Sequence, residues 1–352
     1  MTLPAASDTA PPDDTIGVLL INLGTPDAAD TAAVRRYLRQ FLGDRRVVET
    51  NPLLWRVLLN TVILPFRPRR SLEAYRQVWN RERNESPLRT HTRALAEALA
   101  DTLADTPAVI VDWAMRYGNP AIADRLQALE AQGCGRILLF ALYPQYSATT
   151  TATAYDDAFR ALMAMRRQPA VRTAPAYPDD PGYIAALAAS VRHHLAALDW
   201  QPEVIIASYH GLPKAYCDRG DPYRTQCETT TRLLRQVLGL DDAALRMTFQ
   251  SRFGALEWLQ PYTAETLAEL PRTGIRRVAV LTPGFAADCV ETLEEIAIRG
   301  RETFLSAGGT HFSTVPCLND DPAHIGALAA LVRRELAGWI PARSPVDSPP
   351  SD

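Results

Sequence analysis

The chain has 352 residues, 47% of them apolar, and 37 basic against 40 acidic side chains give a formal charge of −3. That length suffices for two lobes with buried cores, and the balanced charge offers no basic face for a nucleic acid. Cys134, Cys217, Cys227, Cys289 and Cys317 are odd in number, scattered and never in a CxxC pair, which argues against a disulfide framework and for a reducing compartment.

No apolar run reaches the roughly 18–20 residues needed to span a bilayer, and the acidic, Pro/Ala-rich start lacks the features of a signal peptide. A cytoplasmic protein is expected, with residues 1–14 and 341–352 as disordered tails.

Ile16 to Asn22 is a continuous apolar run ending in Leu23-Gly24-Thr25-Pro26, the pattern of a buried parallel strand feeding a loop. Gly24 stands alone, and neither GxGxxG nor the P-loop pattern occurs anywhere in the chain. Asp30 is placed to cap a helix to about Phe41, with Val34, Tyr37, Leu38 and Phe41 on one face. Residues 53–66 form a greasy run followed by Arg67, Arg69 and Arg70. It reads either as a core helix or as an apolar lip beside a large flat ligand or the membrane surface.

Strands are expected at Ala108–Ala114, before Met115-Arg116-Tyr117, and at Arg136–Leu142, before Tyr143-Pro144-Gln145-Tyr146-Ser147. A second round of strands follows near Val171–Ala174, Val204–Ala207, Met247–Gln250, Arg276–Leu281 and Phe312–Val315, alternating with helices. The order predicts two parallel sheets wrapped by helices, divided around residues 165–175, with a cleft between them.

In open parallel sheets ligands sit beyond the carboxyl ends of strands, and there the sequence offers Ser208-Tyr209-His210-Gly211-Leu212-Pro213. His210 is a base, a metal ligand or a residue that ties the turn. Beyond the strand ending at Leu281, a helix is expected from near Ala287, and α-helical spacing would put Asp288, Glu291, Glu295 and Glu302 on one stripe. That stripe is either a solvated face, with Arg299 paired to Glu295, or an acidic wall opposite the imidazole, suited to a loosely held divalent cation and to moving protons.

Taken together, Asn22-Leu23-Gly24-Thr25-Pro26, Leu142-Tyr143-Pro144-Gln145-Tyr146-Ser147, the segment 208–213, Gly220-Asp221-Pro222-Tyr223 and the segment 284–295 resemble the ferrochelatases over residues 15 to 338. The resemblance implies an α/β chain of two Rossmann-like, chelatase-type domains, 15–168 and 169–340, the second carrying the metal-site residues. The implied reaction inserts Fe2+ into protoporphyrin IX with release of two protons, at the end of haem biosynthesis. Coproporphyrin III as substrate, a non-catalytic tetrapyrrole or metal carrier, and cobalt insertion into a more carboxylated tetrapyrrole are the alternatives.

By the same resemblance His210 and Glu291 are the catalytic and metal-contacting residues, and Asp288 and Glu295 belong to a conduit for protons or metal. Aromatic walls for the ring are sought in Tyr117, Trp258, Phe285 and the 53–66 lip, and propionate partners in Arg116, Arg67, Arg70, Tyr75 and Ser86. Cys289 stands where many relatives carry histidine, and is either a thiolate ligand or packing. Arg81-Glu82-Arg83-Asn84-Glu85 replaces a glycine-rich turn common before Ser86-Pro87-Leu88.

Some relatives bind an iron–sulfur cluster through a carboxy-terminal cysteine group. Here no cysteine follows Cys317 and position 148 is Ala148, so no cluster and no permanent cofactor is expected, iron entering only as substrate. The partners implied are the porphyrin and ferrous iron. A peripheral membrane contact is left open, as is the choice between monomer and homodimer.

Overall fold

A computed structural model describes residues 15–106, 108–254 and 256–340; both tails expected from the sequence lie outside the described residues. Among the described residues, eight strands form two four-stranded parallel sheets. The first contains β1 (Thr15–Gly24), β2 (Val109–Tyr117), β3 (Cys134–Ala141) and β4 (Ala170–Thr173) in the order β2-β1-β3-β4. The second contains β5 (Val204–His210), β6 (Leu245–Gln250), β7 (Arg277–Leu281) and β8 (His311–Thr314) in the order β6-β5-β7-β8.

The strands are apolar on both faces because helices cover both, and alternation sorts each side chain to a core. Val18 and Leu20 of β1 face one core while Leu19 and Ile21 face another. Likewise Ile205, Ala207 and Tyr209 of β5 point to one side, and Val204 and Ile206 to the other. The largest core is common to both sheets: Val18, Leu20 and Phe140 from the first share it with Ala207, Tyr209 and Leu245 from the second. The carboxy-terminal helix Pro322–Glu335 closes it, packing on both Pro87–Thr102 and Pro181–Ala196.

Three expectations are corrected. The boundary at 168/169 gives β4 to the second half, but β4 pairs in parallel with β3, Val171 beside Ile137, and so completes the first sheet. Strands β1, β2 and β5 outrun their apolar stretches, since ladder hydrogen bonds need only backbone groups. Gly24 therefore pairs with Tyr117, and His210 with Gln250, inside the sheets. Third, the helix expected from near Ala287 is a π-helix over Glu291–Gly300, continuing as an α-helix over Arg301–Ser306.

The greasy run forms an α-helix over Pro52–Leu58, a π turn over Leu59–Ile63 and an α-helix over Leu64–Val78. Only Leu59 and Leu64 within 53–66 are buried, while Leu53 is 77% and Phe66 74% exposed. Most of the run is an outward apolar ridge beside the exposed Arg67, Arg69 and Arg70, and the core-helix alternative does not hold.

Candidate active site

His210 ends β5, and its Nδ1 lies 2.7 Å from the Gly211 carbonyl oxygen. A carbonyl only accepts, so Nδ1 carries a proton, and in the neutral ring Nε2 keeps the lone pair. The Gly211 N–H donates to the Gln250 carbonyl at 2.8 Å, and a Cβ on Gly211 would come within 2.7 Å of that same oxygen. Only glycine permits this approach. The Phe285 ring lies 6.5 Å from the His210 ring, centre to centre, and packs against Leu88, Met115, Ala287 and Cys289.

Glu291 opens the π-helix, with the buried aromatic group of the first half beside it. Burial, with the nearby Glu291 charge as a further cause, holds the Tyr37 and Tyr75 phenols well above their ordinary pKa. The same two causes, burial first, raise the Cys289 thiol well above its usual value. Cys289 is thus a protonated, buried side chain, which favours packing over a thiolate ligand. Tyr37 and Tyr75 meet edge to face at 6.4 Å.

The π-helix changes which acidic groups act together, because its hydrogen bonds run from i to i+5. Arg299 pairs with Glu294, at 2.8 and 3.0 Å, in place of the Glu295 pairing expected from α-helical spacing. Glu295 instead accepts from the Ser251 N–H at 2.7 Å, the Ser251 hydroxyl at 2.6 Å and Gln250 Nε2 at 3.4 Å. Asp288 precedes the helix, and its carboxylate takes the Thr292 hydroxyl at 2.7 Å and the Asn319 amide at 2.8 Å. Ser251 follows β6 and Asn319 follows β8, the two edge strands of the sheet. The single stripe from Asp288 through Glu295 to Glu302 is therefore corrected to carboxylates engaged toward opposite edges, with Glu302 in the succeeding α-helix. Among the described residues, no three His, Cys, Asp or Glu side chains are grouped to hold a metal ion.

Several of the expected porphyrin contacts are committed elsewhere. Arg116 pairs with Asp44 at 2.6 Å, donates from Nε to the Thr153 hydroxyl at 2.8 Å, and lies over the Tyr117 ring at 4.4 Å. Tyr117 is buried and donates to the same Asp44 at 2.8 Å. Burial raises the Asp44 pKa, but the bonds from Thr153, the Arg46 N–H and Tyr117, with the Arg116 charge, outweigh it and hold the carboxyl below its usual range. A propionate at Arg116 would have to displace Asp44. This cluster borders an open cavity of about 910 Å³, also lined by Gln40, Arg46, Asp157 and Arg160, and neither His210 nor Glu291 reaches it.

Ser86 is buried and caps the helix Pro87–Thr102, its hydroxyl accepting from the Arg89 N–H at 3.3 Å. Tyr75 is buried between Tyr37 and Trp79. Trp258 is buried against Gly211, its ring 4.9 Å from that of Phe253. Arg67 and Arg70 stay exposed, with the Arg67 guanidinium 5.0 Å from the centre of the Phe253 ring.

The structure adds residues that the sequence reading gave no role. Asp221, quoted only within Gly-Asp-Pro-Tyr, accepts from the Ser147 hydroxyl and the Ala148 N–H on one oxygen, and from the Tyr223 N–H on the other, at 2.8–3.0 Å. One carboxylate thus serves helix starts in both halves, and an Asp two residues before a helix is a readable signal for it. Gln250 gives no such signal; its importance comes from its place in the sheet beside His210.

Two parallel sheets with motifs gathered at their carboxyl ends define a two-lobed chelatase-type fold. SirB from Bacillus subtilis with Fe3+ has this fold: it aligns with a TM-score of 0.54 at 11% identity, covering 92% of this chain and 96% of that one. The sirohydrochlorin chelatase SirB from Bacillus subtilis subspecies spizizenii, in complex with cobalt, aligns with a TM-score of 0.51 at 11% identity, over 91% and 95% of the two chains.

Sequence relatives are more specific. The ferrochelatase from Rhizobium meliloti is 55% identical over 325 residues, 92% of this chain and 96% of the relative. That from Brucella ovis is 57% identical over 325 residues, 92% of each chain. The ferrochelatase family profile matches residues 15–336. The chain belongs to the ferrochelatase family and is a porphyrin metal chelatase of haem biosynthesis.

Proposed function

We propose that the chain inserts Fe2+ into protoporphyrin IX, giving protohaem and two protons. The observation that carries this reading is the His210 Nδ1 contact with the Gly211 carbonyl at 2.7 Å, which leaves Nε2 free of that bond at the end of β5. A free-base porphyrin holds two pyrrole N–H protons, and both must leave as the dication enters for charge to balance. His210 Nε2 accepts a pyrrole proton, while the Glu291 carboxylate compensates the positive charge of the incoming ion and takes part in proton removal. In this reading the iron is substrate and passes on with the ring. Asp288 and Glu295 lead protons or metal away from this point.

Ring contacts in this reading come from Phe285 beside His210, the exposed ridge of 53–66 and the outward Arg67 and Arg70, whose guanidinium groups suit propionates. Tyr75, Tyr117 and Trp258 are buried and in this reading support the ring-contacting side chains from behind. The ridge also serves as a peripheral membrane contact of a cytoplasmic protein, with arginines at the headgroups. No described helix is long and apolar enough to cross a bilayer. An iron–sulfur cluster has no part in this reading.

The test is anaerobic Fe2+ insertion followed by porphyrin absorbance, offering protoporphyrin IX and coproporphyrin III. Wild type is expected to prefer protoporphyrin IX. His210→Ala and Glu291→Gln are expected to bind the ring without turnover. Preference for coproporphyrin III would replace the substrate, and ring binding without turnover in wild type would establish a carrier.

A further inference from the structure

Gln250 ends β6, is 3% exposed, and joins the two residues to which the proposed reaction is assigned. Its carbonyl accepts the Gly211 N–H at 2.8 Å, directly after His210, its partner in the ladder. Its side-chain Oε1 accepts the Ser208 hydroxyl at 2.8 Å, while Nε2 donates to the Glu291 main-chain carbonyl at 2.9 Å. Turning the amide over would set an oxygen against both that carbonyl and the Glu295 carboxylate, so only one orientation is stable.

The orientation is enforced from behind. Ser208 has one hydroxyl proton, and it goes to Gln250. The Ser208–Thr263 contact at 2.8 Å must then take its proton from Thr263, and the Thr263–Thr248 contact at 2.8 Å must take its proton from Thr248. Ser208, Thr248 and Thr263 are all buried, so water does not compete. The result is a one-directional chain of hydrogen bonds from Thr248 to the first residue of the π-helix. A fully satisfied buried network of this kind is rigid, and leaving any member unpaired is costly.

We propose that Gln250 is a positioning residue: it holds the His210 end of β5 and the first turn of the π-helix at a fixed separation, so that imidazole and carboxylate address the same ring. This rests on the roles of His210 and Glu291 in the proposed reaction. Gln250 acts through the Gly211 N–H, the Ser208 hydroxyl, the Glu291 carbonyl and the Glu295 carboxylate, and needs no contact with the porphyrin.

Gln250→Leu removes both side-chain arms, and Gln250→Glu keeps the acceptor for Ser208 but opposes a carboxylate to the Glu291 carbonyl. Both are expected to lower kcat for Fe2+ insertion by about ten- to a hundred-fold, the scale of a small misplacement of reacting groups. The porphyrin KM should stay within about two-fold and the binding stoichiometry at one ring per chain, by the same reasoning that the tie acts on alignment alone. Ser208→Ala, which removes the donor to Gln250 Oε1 but leaves both Nε2 contacts, should show a smaller loss in the same direction.

In the ligand-free protein, hydrogen exchange at residues 293–298 should accelerate in Gln250→Leu while residues 205–207 keep their protection. Unchanged turnover, or a turnover loss matched by lost ring-binding sites, overturns the proposal. So does unchanged exchange at 293–298, which is read without any substrate. If wild type turns over no porphyrin, the assigned reaction itself falls, and the positioning role falls with it whatever the exchange data show.

Discussion

Asp221→Ala should loosen the junction between the two halves. The carboxylate accepts three hydrogen bonds, two of them from backbone N–H groups where the helices beginning at Ala148 and Tyr223 start. Each of the two backbone N–H groups loses a hydrogen bond to a charged acceptor worth about 1–1.5 kcal/mol, and half-buried Asp221 allows water to replace part of the third bond. The expected loss is about 2–3 kcal/mol. With an unfolding entropy of about 2.1 cal/mol/K per residue, a chain of this length has ~0.7 kcal/mol/K at its midpoint, so the melting temperature should fall by about 3–4 °C. Asp221→Asn keeps one acceptor oxygen but turns an NH2 toward the remaining donors, and should fall between wild type and Asp221→Ala. Thermal unfolding followed by circular dichroism and calorimetry measures both. A shift under about 1 °C for Asp221→Ala, or a fully wild-type Asp221→Asn, would refute the argument that a two-sided acceptor is needed there.

Substitutions along the ridge should separate cleanly. Leu54→Asp and Val57→Asp, at side chains 66% and 60% exposed, should shift denaturant midpoints by no more than ~0.5 kcal/mol, whereas Leu59→Asp, 4% exposed, should cost about 3 kcal/mol or more. Gly24→Ala should be severe, because φ is +110° and the new Cβ would lie 1.9 Å from the Tyr117 carbonyl oxygen; urea unfolding should show a loss of about 3 kcal/mol or more. His324 is buried with Nδ1 bonded to the Asn319 carbonyl at 2.7 Å, and burial lowers its pKa. The unfolded chain then takes up a proton below about pH 6.5 that the folded chain refuses, so stability is complete above that pH and falls as pH drops toward the folded pKa, by up to ~1.4 kcal/mol per unit. His324→Gln should flatten this slope in urea titrations run downward from about pH 6.5.

Much of the fold was readable because it depends on near neighbours in the chain. Continuous apolar runs marked the strands, and Asp30 was legible as a cap: its carboxylate accepts from the Ala33 N–H at 2.8 Å. The position of His210 at a strand end followed from Val204–Ala207 alone, although backbone pairing carries the strand through His210 itself. The acidic residues were legible as types but not as an arrangement. Spacing of three and four assumes an α-helix, and a π-helix moves the Arg299 partner from Glu295 to Glu294.

The local sequence determined the strands, the first helix cap, the parallel α/β order and the gathering of polar motifs at strand ends, since periodicity and capping act over a few residues. Tertiary structure alone decided that β4 completes the first sheet, that Arg116 is taken by Asp44 72 residues earlier, and that residues 53–66 turn their apolar side outward. It also decided that Gln250 ties the neighbour of His210 to Glu291. These are pairings between surfaces that meet only once the sheets are ordered and packed, and no pattern within one segment specifies the partner it will face.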